Sequence, residues 1–271
     1  MNSFDNEKTN FNLSSDNQAL ENKISPVFLV ILFLTLIAGV LTYQNIVMTR
    51  LWVFLFVTGG WILSLSFHEF GHAFAAYHNG DKSVAEKGYL TLNPLKYTNL
   101  VMSIVIPVVF LMMGGIGFPG GAVYINMTMI PDPKKRSFVS FAGPLATALF
   151  ASLLLIPFFL GVPSEASAGE MPFWSALALL AFLQITALFL NLLPVPGLDG
   201  FGIIEPFLSK EVMIKLRKVG GIFILAIFFL LFNDTPVSRG FWAAIRFLTE
   251  LLNLDISFVR DGFRLFQFWN I

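Results

Sequence analysis

Cysteine is absent from this chain, which rules out disulfides and thiolate metal sites; any metal must be held by histidine and carboxylate. Histidine is scarce, with three in 271 residues. Charge is scarce too: 13% of residues, where a soluble domain carries about 25%. The 17 basic and 17 acidic residues cancel, so no basic footprint for nucleic acid exists and no nucleic-acid partner is expected. No signal peptide is expected either. Residues 1–24 are rich in Asn, Ser and Asp, without a basic start or an apolar core, and read as a disordered polar tail.

What is present is apolar. Hydrophobic residues make up 56% of the chain and mean hydropathy is +0.74. Runs of spanning length recur, so the chain reads as an all-α polytopic membrane protein in a lipid bilayer. About five transmembrane helices are expected, over 26–43, 51–78, 137–161, 172–194 and 219–232. Residues 25–232 form the membrane core. The remainder, 233–271, mixes Arg246, Glu250, Arg260 and Arg264 with Trp242, Phe266 and Trp269, a pattern suited to amphipathic helices at an interface.

Two of the three histidines stand in one pattern, His68-Glu69-Phe70-Gly71-His72, inside an apolar run. Helical positions four apart share a face, so His68 and His72 can address one metal ion. Glu69 follows the first ligand and can reach a water on that metal. Such groups at membrane depth are costly unless partnered. His78 lies beyond the motif beside Asn79-Gly80-Asp81, a helix end and turn, and reads as a solvated boundary residue.

A hydrolytic zinc normally takes three protein ligands plus water, so one is missing. Asp199 is the candidate: Pro194, Pro196 and Gly197 interrupt its helix and let a carboxylate turn inward. The plainer reading of Asp199-Gly200 is an ordinary turn, and Glu205 is a rival acid followed by Pro206.

Two further stretches alternate like short strands: Tyr89-Leu90-Thr91-Leu92, stopped by Asn93-Pro94, and residues 122–126. Between them, 100–119 is apolar but punctuated by Pro107, Gly114, Gly115, Gly117 and Pro119. A re-entrant segment with a short β-hairpin is expected there. Residues 122–126 either close that hairpin or pair with an extended substrate as an added strand.

The combination of H-E-F-G-H at 68–72, A-G-P at 142–144, N-L-L-P-V-P-G-L-D-G at 191–200 and L-T-L-N-P at 90–94 resembles the site-2 protease family of intramembrane zinc metalloproteases. The resemblance covers residues 51 to about 205. It implies His68, His72 and Asp199 as Zn2+ ligands and Glu69 as general base. It also implies a single-pass membrane protein as substrate. Asn191 matches a family asparagine, with two roles open: polarising the scissile carbonyl, or a helix-to-helix hydrogen bond. Tyr89 stands where many members have arginine, Thr147 where many have asparagine, and Gly197 where a second proline is common. None of the three is expected to touch the ligands. A prenyl-protein type of zinc protease would draw its third ligand from a glutamate on another helix. A non-proteolytic metal-binding scaffold or transporter is the alternative outside enzymology.

Topology imposes a constraint. Both halves of the site lie towards the C-terminal ends of their helices, so 51–78 and 172–197 must cross in the same direction. One of the two intervening apolar segments therefore cannot cross, and 100–119 is the weaker helix. Lys82, Lys87, Lys96, Lys134, Lys135, Arg136 and the basic residues of 210–218 then fall together, which puts them and the N-terminus in the cytoplasm of a plasma-membrane protein. The side holding 233–271 is left open, as is the oligomeric state.

Overall fold

The computed structural model describes residues 24–97, 105–112 and 123–269. Among these, four helices are long and apolar enough to cross a membrane: α1 (Pro26–Tyr43), α2 (Thr49–Asn79), α3 (Pro133–Phe159) and α4 (Met171–Asn191). The protein is a multi-pass membrane protein. Beyond α4 come α5 (Asp199–Ile204), α6 (Lys210–Lys218), α7 (Gly220–Phe232), α8 (Pro236–Leu251) and α9 (Ile256–Phe266).

Local chemistry fixes several boundaries. Ser25 caps α1, its Oγ accepting from the Val27 amide, with Pro26 at the first helical position. Asp132 and Pro133 do the same for α3, so that helix starts four residues before the expected 137 and takes Lys134, Lys135 and Arg136 into its first turn. α7 has 13 residues, roughly 20 Å of rise, and cannot cross a core of about 30 Å alone. It passes as a fifth span only when paired with α8 across a 74° bend.

Contacts along the helices give their directions. α2 and α4 run parallel: Phe56 meets Phe173 (ring centroids 5.6 Å apart), Gly60 abuts Leu180, and Ser64 donates to Gln184. α2 and α3 are antiparallel: His72 pairs with Val139, His68 with Thr147, and Phe67 packs on Phe150. α1 starts at the end at which α2 finishes, since Ser25 N–H donates to Thr91 O in the loop after α2. The chain leaves α2 and enters α3 at one end of the bundle, where Gly80 abuts Met129 and Ile130 packs with Ala73 and Ala76. Residues 80–132 therefore begin and end on the same side, the parity that two parallel site helices require.

The expected β-hairpin is not supported. Among the described residues no strand occurs. Tyr89–Thr91 is a 3-10 turn followed by Leu92 in the left-handed region (φ 58°), so alternation reflected Tyr89 and Leu90 burying against the bundle rather than a ladder. Val123–Asn126 is irregular, its amides taken by side chains as described below. Most of 100–119 lies outside the described residues, which include only a short helix, Ile106–Met112. The 1–24 tail likewise lies outside them, save Ile24.

The amphipathic C-terminal helices pack on the bundle rather than lying free at an interface. Trp242 of α8 stacks on Phe182 of α4 and Phe241 meets Phe189. In α9, Gly262 is pressed on the Ser175 carbonyl, while Phe266 meets Phe54 and Phe258 meets Phe158. α9 thus sits level with the starts of α2 and α4, at the end holding the acidic 162–170 loop.

Candidate metal centre

A close crossing of α2 and α3 builds the centre. A Cβ on Gly71 would come within 2.6 Å of the Ala142 carbonyl, and one on Gly143 within 2.6 Å of the His72 ring. Only glycine lets the two backbones approach so closely, which gives H-E-F-G-H and A-G-P a shared physical purpose. α3 then supplies a partner to each histidine. His72 Nδ1 lies 2.8 Å from Val139 O, and His68 Nδ1 lies 2.9 Å from Thr147 Oγ1.

Those partners decide the protons. A carbonyl only accepts, so His72 Nδ1 carries hydrogen and its Nε2 presents a lone pair. For His68 Nε2 to do likewise its proton must sit on Nδ1, where Thr147 can accept it. The two Nε2 atoms lie 3.1 Å apart. Both face Asp199, with His68 Nε2 3.1 Å from Oδ2 and His72 Nε2 3.2 Å from Oδ1.

Asp199 arrives from α4 by a broken path. Past Leu192, Leu193 to Leu198 turn through Pro194 and Pro196, and Gly197 takes φ +102°. Proline is locked near −65° and could not stand there, so the glycine found where a second proline is common has a conformational reason. α5 starts at Asp199 and is seated on α3 where Gly202 abuts Ser140.

The donor set suits a metal. His68, His72 and Asp199 offer ligand atoms all within 4.8 Å of one another, in a chain without thiolate. Bonds of about 2.0–2.1 Å in a tetrahedron place donor atoms roughly 3.3 Å apart, close to the spacings seen. Two imine nitrogens and a carboxylate at that range repel unless a metal ion or a shared proton lies among them. Among the described residues this is the one such group.

Glu69 is buried, with Oε2 accepting from the Val123 amide at 3.0 Å. Asn191 is buried at the last residue of α4. His78 is exposed and bonds the Phe74 carbonyl of its own helix, and Glu205 is not among the clustered ligand groups.

Some residues of the centre escaped the sequence reading. Thr147 was expected not to touch a ligand; it contacts His68 directly, and its position four residues after Gly143, on the same helix face, was the available signal. Val139 acts through its carbonyl and Val123 through its amide, roles no side chain advertises. Tyr97, buried, donates its phenol to Ser66 O at 3.1 Å, three residues before Glu69. Burial first, and then the Glu69 charge, push that phenol well above the ordinary tyrosine value, so it is a neutral donor.

The chain is 41% identical over 254 residues to a zinc metalloprotease named Rip2 from Mycolicibacterium smegmatis, covering 91% of this chain and 94% of that one. Rip2 of Mycobacterium tuberculosis is 38% identical over 266 residues, covering 96% and 99%. A zinc metalloprotease named YwhC from Bacillus subtilis is 34% identical over 164 residues, covering 58% and 71%. No protein-family model and no solved structure matches the chain.

Proposed function

The chain belongs to the site-2 protease family of zinc metalloproteases, and from that premise we propose that it hydrolyses peptide bonds within or near the transmembrane helices of single-pass membrane proteins, with Glu69 as general base. The convergence of His68, His72 and Asp199 beside a buried glutamate carries this reading. These three residues would hold zinc, which when bound supplies Lewis acidity that polarises the scissile carbonyl and brings the pKa of a water molecule towards neutrality.

The chain's own groups do the rest. Val123 N–H fixes Glu69 Oε2, leaving Oε1 to take the proton of the attacking water and pass it to the departing amine. Asn191, buried before the turn to Asp199, is assigned the orientation of the scissile carbonyl. Thr147 and Val139 keep the imidazole protons on Nδ1. Because a helix hides its carbonyls in its own hydrogen bonds, the substrate must unwind before it reaches Glu69. The irregular Val123–Asn126 run borders that residue, although its Val123 and Asn126 amides are already committed.

Orientation follows from charge. Lys82, Lys87, Lys96, Lys134, Lys135, Arg136 and the basic α6 flank the site end of the bundle, while Glu165 and Glu170 flank the other. By the positive-inside rule we infer that the site end and the N-terminus face the cytoplasm, and we propose the plasma membrane as the location. The test is metal analysis of purified protein followed by cleavage of model transmembrane substrates by wild type and Glu69→Gln. Glu69→Gln should keep its zinc and lose cleavage at least about 100-fold. Equal cleavage by the two would reject the mechanism.

A further inference from the structure

Asp81 lies just past α2, on the cytoplasmic side of the site, and none of its surface is exposed. A buried carboxylate must be satisfied by donors. Its Oδ1 serves the local turn, accepting from Ser83 N–H at 3.1 Å and Ser83 Oγ at 2.6 Å. Its Oδ2 does something different: it accepts from the Asn126 amide at 2.7 Å, 45 residues along the chain.

Asn126 ends the irregular run that Val123 begins, and Val123 N–H is the donor on Glu69. Lys87 Nζ holds the same run from the side, donating to Tyr124 O at 3.0 Å. Two buried carboxylates of the α2 end therefore grip one short irregular segment by its first and last amides. The segment has no ladder of its own. Its register against Glu69 is set by these side-chain bonds.

We propose that Asp81 is a positioning residue for the proteolytic reaction: by anchoring Asn126 it holds Val123 N–H on Glu69 and so keeps the base's free oxygen aimed at the metal centre. The proposal rests on the protease reading above. It assigns Asp81 no contact with substrate or metal. A purely local role, capping the turn through Ser83, is the competing account, and the two separate experimentally.

Asp81→Ala removes both oxygens, and with them the acceptor of the Asn126 amide as well as that of Ser83. Asn126→Pro removes the amide itself at a residue whose φ of −85° proline can approach. Ser83→Ala removes only the local hydroxyl. The full-length protein in detergent would be followed in two ways: hydrogen exchange of the peptide containing 123–126, and kcat and KM on a model transmembrane substrate with zinc content measured alongside.

Asp81→Ala should deprotect 123–126 while leaving α2 peptides protected, and should lower kcat about tenfold with KM and zinc content within about twofold of wild type. Asn126→Pro should lower kcat similarly, and the double variant should be no worse than either single one, because both cut the same link. Ser83→Ala should leave kcat unchanged. Unchanged exchange in Asp81→Ala, kcat retained despite lost protection, multiplying effects in the double variant, or zinc loss in Asp81→Ala would each overturn the proposal. Wild type no more active than Glu69→Gln would instead reject the protease reading, whatever the exchange data show.

Discussion

Replacing Thr147 by valine keeps the volume of the side chain and deletes the one atom that faces His68 Nδ1. With metal bound, His68 Nε2 must give its lone pair, so the ring proton stays on Nδ1 with no acceptor. Without metal the variant has an escape. The proton can move to Nε2 and bond Asp199 Oδ2, already 3.1 Å away. The penalty therefore falls on the metal-bound state alone. An unsatisfied buried donor costs about 1–3 kcal/mol, and at about 1.4 kcal/mol per tenfold this predicts zinc binding weakened about 5- to 150-fold. The range agrees with the 10–100-fold typical of lost partners to metal-bound histidines. Competition between the apo protein and a fluorescent zinc chelator in detergent measures it directly. Thr147→Ser, which retains the hydroxyl, should stay near wild type, and thermal unfolding of the apo forms should show the valine variant still folded. Valine binding zinc within twofold of wild type would refute the assigned proton position and with it the role of Thr147.

Two other outcomes follow from the same contacts. Gly143→Ala puts a methyl 2.6 Å from His72 ring carbons where ordinary contact begins at 3.4 Å; overpacking should cost about 1–3 kcal/mol in unfolding experiments, and the displaced ring should lower zinc affinity at least about tenfold. Asp199→Ala should abolish stoichiometric zinc in metal analysis while Glu205→Ala retains it, since only Asp199 joins the two imidazoles.

Helix existence and the ligands' residue types were legible because they obey local rules. The runs of 26–43, 51–78 and 172–194 lie within a few residues of α1, α2 and α4, because apolar length alone dictates a spanning helix. H-E-x-x-H needs only the four-residue repeat of one helix to bring His68 and His72 together. Asp199 was reachable from a proline-broken helix and from donor arithmetic. The misses share a cause. Alternation at 89–92 does not make a strand, because a 3-10 turn and Leu92 at φ 58° bury Tyr89, Leu90 and Leu92 together; Val123–Asn126 is irregular, and among the described residues no strand stands beside either to complete a ladder.

The sequence by itself determined a cysteine-free membrane bundle, a difference in charge between its two ends, and which imidazoles and carboxylates were available. Tertiary structure alone decided who meets whom. Thr147, Val139, Val123 and Asp81 act across 45 to 79 residues of chain, two of them through backbone atoms common to every residue. Contacts of that kind depend on the crossing that Gly71 and Gly143 permit, and on how far Asp199 and Asn126 are carried back to α2. No periodicity encodes either distance.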